Sequence, residues 1–411
     1  MKASILTLGC KANQSESIEI ESYLRSAGYR IVDLNESPEI CIINTCTVTA
    51  KSDYQSRQLI KRAIKAGSKV YVTGCYSEIN KDEVERLDGL FRIIPNDKKY
   101  LIIEELTSKN SINTLDFTSG RSRYFFKIQD GCNYSCSYCI IPKARGRSRS
   151  LDPELIIERI REVSHYYREV VLTGIHLGTY GYDFKPKLKL SQLIARILKE
   201  TPIKRIRLSS LEIGEIDEQL LELLSDSRIC QHLHIPLQSG DDNVLGRMKR
   251  NYRVKDFLKG IYKIIERYPG ISIGTDVIVG FPGETNEEFN NTRQLIESLP
   301  FSYLHVFPYS VRSGTEATNL SPYVNDHIKK QRAAILRDVS SQKRLDYSKR
   351  QIGRTLDVLI ERRIDGYYIG LSSNYLKIKT ASHNLPLRDI VNIRISEIID
   401  SELFGHPVVK L

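Results

Sequence analysis

No stretch of this chain stays apolar for anything near the roughly 18 residues that a membrane-spanning helix needs, which argues against a helix that crosses a bilayer. Low-complexity tracts are missing as well, and with 27% charged and 41% hydrophobic residues the composition is that of a folded protein. The opening run Met1-Lys2-Ala3-Ser4-Ile5-Leu6-Thr7-Leu8-Gly9-Cys10 has too short an apolar stretch for a secretory signal, and a cytoplasmic protein is expected. In a reducing compartment the eight cysteines are expected to be metal ligands or small buried hydrophobes rather than disulfides. At 411 residues the chain is too long for one ordinary core, so two or three domains are expected.

A fourth metal ligand is also missing beside the central cysteines. Cys132, Cys136 and Cys139 are spaced CxxxCxxC, and the next histidine, His165, lies well down the chain, so a structural zinc site lacks its fourth Cys or His. Three thiolates can instead hold three corners of an iron–sulfur cube and leave one iron open to a small molecule. This spacing, with Tyr138 directly before the last cysteine, resembles the radical S-adenosylmethionine (SAM) enzymes. The resemblance implies that the open iron chelates SAM and that an electron from the cluster cleaves its sulfonium to a 5′-deoxyadenosyl radical.

The 61 basic and 50 acidic residues give +11, which favours a polyanionic partner without identifying one. The excess is local. Arg121 to Ser150 carries seven Lys/Arg against one acid, and Ile328 to Arg350 eight against two. The run Lys143-Ala144-Arg145-Gly146-Arg147-Ser148-Arg149 directly follows the cysteine loop, so contact with phosphates is expected of it.

The first hundred residues alternate strands and helices. Strands are expected over Ser4–Leu8, Ile40–Asn44 and Lys69–Thr73, with helices over Ser15–Ala27 and Lys51–Ala66 that stop at Gly28 and Gly67. This is the pattern of a doubly wound parallel α/β domain, in which ligands gather beyond the carboxyl ends of strands. Cys10, Cys46 and Cys75 each fall just past a strand end and should converge on a second metal cluster, the alternative being three unrelated buried thiols.

Lys109–Arg123 reads as a linker. Six strands follow, Tyr124–Gln129, Glu169–Thr173, Arg205–Ser209, His232–Pro236, Ser272–Val279 and Tyr303–Tyr309, with helical patterns between them. They suggest a partial (βα)6 TIM-type barrel with its chemistry at the C-terminal strand ends. From about Asp346, short alternating runs over Thr355–Glu361, Tyr367–Leu371, Tyr375–Lys379 and Asp389–Ile395 read as a small antiparallel β-barrel of nearly balanced charge. The expected domains are 1–110, 111–345 and 346–411. Cys41 within a strand and Cys230 just before one are read as packing, and His176, His232, His234 and His305 receive no role.

Two cysteine triplets in this order before a small barrel resemble the radical SAM methylthiotransferases. The resemblance rests on Thr7-Leu8-Gly9-Cys10-Lys11-Ala12-Asn13-Gln14, Asn44-Thr45-Cys46-Thr47-Val48-Thr49, Val72-Thr73-Gly74-Cys75, Cys139-Ile140-Ile141-Pro142 with Arg145-Gly146, and Phe281-Pro282-Gly283-Glu284. It implies two [4Fe-4S] clusters, the central one cleaving SAM and the N-terminal one carrying the sulfur. One SAM would methylate that sulfur, and a second would give the radical that abstracts hydrogen from an unactivated carbon. It further implies SAM contacts at Tyr138, Thr173, Gly174, Ser209, Ser210, Glu212, Gln238, Gly280 and Pro282. The tail resembles the TRAM domain, which in this family contacts RNA. The implied partners are the tRNA anticodon loop and a low-potential electron donor such as flavodoxin or ferredoxin.

Around Cys10 the chain resembles the branch that methylthiolates N6-threonylcarbamoyladenosine at C2, at position 37 beside the anticodon. Lys11 suits the carboxylate of the threonyl group, the alternative being a lysine that simply faces water. Isopentenyladenosine in tRNA, a ribosomal-protein aspartate, or non-catalytic RNA binding by a metal-stabilised protein are the competing readings.

Overall fold

The computed structural model describes residues 1–107, 116–117, 120–382 and 384–408, so most of the expected linker lies outside the described residues. The N-terminal sheet contains β1 (Lys2–Thr7), β2 (Arg30–Ile31), β3 (Ile40–Thr45), β4 (Lys69–Gly74) and β5 (Leu90–Ile93), all parallel in the order β2-β1-β3-β4-β5. Central β3 reads Ile-Cys-Ile-Ile-Asn-Thr and is buried throughout, as a strand covered on both faces must be. Its side chains alternate between two cores. Ile40 and Ile42 join Ile20 and Leu24 of helix α1 (Lys11–Ser26), while Cys41 and Ile43 join Ile60 and Ala63 of helix α2 (Ala50–Lys65).

Register aligns the strand ends. Thr7 pairs with Asn44, Asn44 with Thr73, and Thr45 with Gly74, so the loops that leave β1, β3 and β4 start at one level.

The central unit holds β6 (Tyr124–Asp130), β7 (Arg149–Ser150), β8 (Glu169–Gly174), β9 (Arg205–Leu208), β10 (His232–His234), β11 (Ser272–Val279) and β12 (Tyr303–Pro308). Six of these run parallel in an open half barrel, split between β9 and β10 into the sheets β7-β6-β8-β9 and β10-β11-β12. The short β7 pairs antiparallel with β6, just beyond the cysteine loop. Amphipathic helices such as Val254–Arg267 cover the outside, burying Phe257, Ile261 and Ile264 in the largest apolar core.

The helix Asp326–Lys349 leads to a closed five-stranded barrel of β13 (Thr355–Ile364), β14 (Tyr367–Ser372), β15 (Lys377–Ala381), β16 (Ile390–Ile399) and β17 (Glu402–Pro407). Four of its seams are antiparallel, and the β15–β17 seam is parallel. The small barrel docks on the half barrel through two fully buried arginines. Arg205 donates to Leu371 O at 2.9 Å and to Asp357 Oδ2 at 3.0 Å; Arg207 donates to Ser372 O at 2.9 Å and Ser373 O at 3.0 Å. Both guanidinium groups share Glu169, at 2.6 and 2.8 Å. A buried ion group of this kind is tolerated because every donor has an acceptor.

Candidate active site

Cys10 is the N-cap residue of α1, Cys46 follows β3, and Cys75 opens the short helix Cys75–Ile79 after β4. Two glycines allow the close approach. A Cβ on Gly9 (φ +93°) would meet Cys46 Sγ at 2.7 Å, and one on Gly74 (φ +103°) would meet the Thr45 backbone at 2.4 Å. Asn13 ties the loops together by donating to Leu8 O at 2.7 Å and Thr45 O at 2.9 Å.

The central triplet follows β6 directly. Its loop folds locally, with Cys139 N bonded to Cys136 O at 3.0 Å and Tyr134 N to Cys132 Sγ at 3.4 Å. Arginines serve both triplets. Arg145 Nε donates to Cys75 Sγ at 3.3 Å, and Arg250 Nη1 donates to Cys136 Sγ at 3.4 Å while pairing with Glu212. His176 Nδ1 lies 3.4 Å from Cys132 Sγ and its Nε2 lies 2.5 Å from Glu215. Burial alone would lower the His176 pKa, yet Cys132 and Glu215 raise it to about 10. Arg250 and His176 reach the central cysteines from far along the chain and nothing local marks them, whereas Arg145 belongs to the Arg145-Gly146 pair that follows the central loop.

The central triplet and Cys10 of the N-terminal one lie on the wall of one cavity of about 480 Å³, while Cys46 and Cys75 do not line it. Of the residues expected to hold SAM, Tyr138, Ser210, Glu212 and Gln238 line it. Thr173, Gly174, Ser209, Gly280 and Pro282 do not line it, and all but Gly174 are buried. Gly174 packs against Gln129, and Gly280 donates its N–H to Glu284 at 2.6 Å, which Arg332 holds in turn. The Phe281-Pro282-Gly283-Glu284 motif is thereby anchored to the helix Asp326–Lys349.

The cysteine donors fit an iron–sulfur cluster better than a single ion. A tetrahedral zinc with Zn–S near 2.3 Å would hold its sulfurs about 3.8 Å apart. Among the described residues the one group of three potential ligands gathered within 4.8 Å is His234, Asp276 and His305, not a cysteine triplet. Cysteines that bind separate irons of a cube need a wider spread. Burial pushes the thiols of Cys46, Cys75 and Cys136 up, and that of Cys139 to about 12, so without metal they stay protonated and a bound metal would displace the proton to take the thiolate. The buried Tyr309 hydroxyl on the cavity wall and the buried Ser209 Oγ lack protein partners, which leaves both free for a polar ligand.

His234, Asp276 and His305 project from neighbouring strands into the half barrel. Asp276 Oδ1 takes His234 Nε2 at 2.8 Å and His305 Nδ1 at 3.1 Å, and the two imidazoles hold this carboxyl well below its usual range although burial opposes them. With Arg207 5.4 Å from the neighbouring Tyr375 ring centre and Arg344 6.0 Å from that of Tyr303, the group reads as a hydrogen-bonded relay in positive surroundings rather than a cation site.

The basic run after the loop is not a uniform phosphate-binding surface. Arg145 is buried, with Glu16 at 2.8 Å and Asp130 at 3.0 Å, so this part of the expectation is corrected by its location between two carboxylates. Cys41 and Cys230 are buried, the former in an apolar core.

Two family models match this chain, one described as the radical SAM superfamily over residues 126–296 and one as uncharacterized protein family UPF0004 over residues 2–94. A solved structure of the radical SAM methyltransferase TsrM from Kitasatospora setae, with cobalamin and a [4Fe-4S] cluster bound, superposes with a TM-score of 0.54 at 15% identity, covering 75% of this chain and 74% of that one. It shares the fold. The half barrel with its CxxxCxxC loop is thus that of a radical SAM protein.

A curated threonylcarbamoyladenosine tRNA methylthiotransferase MtaB from Bacillus subtilis (strain 168) is 37% identical over 95% of this chain and 92% of its own length. Its namesake from Aquifex aeolicus (strain VF5) is 35% identical over 92% and 96%. A tRNA-2-methylthio-N(6)-dimethylallyladenosine synthase from Aliarcobacter butzleri (strain RM4018) is 32% identical over 99% of both chains. The chain belongs to the radical SAM methylthiotransferases, in their MtaB branch.

Proposed function

We propose that this enzyme adds a methylthio group to C2 of N6-threonylcarbamoyladenosine at tRNA position 37, in the cytoplasm. The observation that carries the reading is the 480 Å³ cavity whose wall holds Cys10 of the N-terminal triplet together with all three central cysteines, so that a base seated there adjoins both sets. The choice of base is supported by the names of the MtaB relatives, at up to 37% identity against 32% for the dimethylallyladenosine synthase.

In this reading Cys10, Cys46 and Cys75 hold one [4Fe-4S] cluster, and Cys132, Cys136 and Cys139 the other. When bound, the two clusters with SAM supply the transferable sulfur and the radical. Radical chemistry is what the substrate demands, because an aromatic C–H is not acidic enough for a general base. The chain's own contribution is placement and shelter. Tyr138, Ser210, Glu212 and Gln238 line the space for SAM, and Val48, Ile140, Ile175, Ile278 and Phe307 supply apolar wall that limits water near a radical. Residues 1–110, 111–345 and 346–411 form the three functional units. The tRNA anticodon loop approaches the cavity, the basic helix Asp326–Lys349 and the C-terminal barrel contact the RNA backbone, and flavodoxin or ferredoxin supplies electrons.

The test is nucleoside mass spectrometry of tRNA from cells with and without this protein, where the methylthio form of N6-threonylcarbamoyladenosine should depend on it. Anaerobically prepared protein should hold about eight irons, and Ala at Cys132, Cys136 and Cys139 should remove about half. Cys46→Ala should stop methylthio transfer yet leave SAM cleavage. Equal or better turnover of isopentenyladenosine tRNA defeats the substrate assignment.

A further inference from the structure

All three units of the chain meet beside the cavity wall that Asp276 helps to form. Lys11 reaches in from the start of α1, half-buried, with Nζ 5.9 Å from the centre of the Tyr375 ring. Tyr375 comes from the β14–β15 turn of the small barrel. Its left-handed backbone (φ +65°) is held by its N–H on Ser372 O at 3.1 Å, and its ring stacks on His232 at 4.4 Å between centroids. His232 Nε2 and His234 Nδ1 both bond the Tyr303 hydroxyl, at 2.9 and 3.1 Å, and His234 passes the chain of contacts on to Asp276 and His305.

Lys11 is out of balance with this surrounding order. Arg145, Arg205, Arg207, Arg250 and Arg332, the other cations drawn inward, each face a carboxylate. Among the described residues Lys11 has no acidic partner within 4.0 Å and no hydrogen-bond acceptor, although it starts the helix capped by Cys10, itself on the cavity wall. Arg207 and Arg123 act against its charge, and Glu169 and Asp276 favour it only from beyond ion-pair distance. An ammonium taken partly out of water without a direct partner is costly, and an anionic ligand group would remove that cost. His305 adds a second donor in its doubly protonated form, in which Nδ1 donates to Asp276 at 3.1 Å and Nε2–H is left for an anion. Its side chain is 52% exposed, and it stands one strand step from Phe307 on the cavity wall.

We propose that Lys11 and His305 form a carboxylate-binding subsite, walled by Tyr375, that takes the charged end of an amino-acid adduct on the substrate base. Asp276 stays ionised and sets the orientation of His305, so a substrate hydroxyl or ureido N–H has an acceptor next to the anion site. The inference rests on the substrate reading above and adds the residues that would tell a threonylcarbamoyl group from an uncharged isopentenyl chain.

The test uses the cluster-loaded full chain and two anticodon stem-loops that carry N6-threonylcarbamoyladenosine, one with its carboxylate free and one with it masked as the methyl ester. Wild type should bind the acid about tenfold more tightly than the ester. Lys11→Met should bring the two within about twofold, and Lys11→Arg should keep most of the preference. Lys11 adjoins a cysteine of the site, so iron content is measured on every variant. His305→Ala, remote in sequence from all six cysteines, should lower the preference several-fold at full iron content. Equal affinity of wild type for acid and ester, or an unchanged preference in both Lys11→Met and His305→Ala, overturns the subsite and leaves the base assignment standing. Methylthiolation of isopentenyladenosine in place of the threonylcarbamoyl base would instead overturn the substrate reading.

Discussion

The two cysteine triplets are assembled by opposite routes, and they meet at a cavity that the central three and Cys10 line. Cys132, Cys136 and Cys139 sit in one loop of eight residues, so their proximity is nearly a property of the local chain. Cys10, Cys46 and Cys75 are brought together by strand register, by two glycines and by the side chain of Asn13. The first set is therefore robust to changes elsewhere in the fold, while the second reports on the integrity of the whole N-terminal sheet. Arg145 is where the two routes touch. It belongs to the segment after the central loop, yet its guanidinium reaches Cys75, Glu16 and Asp130.

Removing that link should have the largest effect. Arg145→Met leaves Glu16 and Asp130 buried with fewer counter-charges, an expected loss of about 3–5 kcal/mol in guanidinium unfolding, together with loss of iron from the N-terminal set. If the iron load stayed intact, the two triplets would be independent after all. Gly74→Ala places a methyl group against the Thr45 backbone and forces φ +103° on a non-glycine residue. It should cost about 2–3 kcal/mol, and iron should fall by about half while SAM cleavage survives. Loss of SAM cleavage at the same time would contradict the contrast drawn above.

A pH measurement sharpens the role of Asp130. Burial alone would raise its pKa, but Lys127 and Arg145 outweigh this and lower it from 3.8 to about 2. A carboxyl depressed on folding stabilises above its unfolded pKa and loses that contribution as pH falls through the folded value. About 2 kcal/mol should thus be present above pH 4 and fade toward pH 2, and Asp130→Asn should flatten that slope. The smallest effect is expected at the rim, where Arg312 pairs with Asp53 at 2.6 Å and Thr47 O at 3.1 Å to hold the α2 end against the half barrel. Arg312→Ala should cost about 1 kcal/mol by thermal unfolding and leave the iron content unchanged.

Much of this contrast was legible in the sequence. Ser272–Val279 is identical to the observed β11, and the apolar runs of β3 and β4 stand within a residue of their observed ends because buried parallel strands carry an unbroken hydrophobic signal. The short edges β2 and β5 were not legible, since two and four residues facing partly into solvent hold no period. β17 was missed for a similar reason, as Glu402–Pro407 mixes charged, small and aromatic residues without alternation. At the site, cysteine spacing was readable because it is local or tied to strand ends. Arg250 and His176 were not, because they meet Cys136 and Cys132 across 114 and 44 residues of chain. The expected ligands Thr173 and Ser209 occupy the strand ends the sequence suggested and are buried there, while their neighbour Ser210 lies on the cavity wall.

The docking of the small barrel through Arg205, Arg207 and Tyr375 has a consequence for how this chain can be recombined. A terminal module that only tethers RNA could be exchanged between relatives by cutting in the preceding helix. Here a graft that does not supply carbonyl acceptors at positions 371–373 would strand two arginines against Glu169, and one without an aromatic ring at position 375 would leave His232 without its stacking partner. The seam between these units is thus inherited as a matched pair, and chimaeras should be functional only when both sides of it travel together.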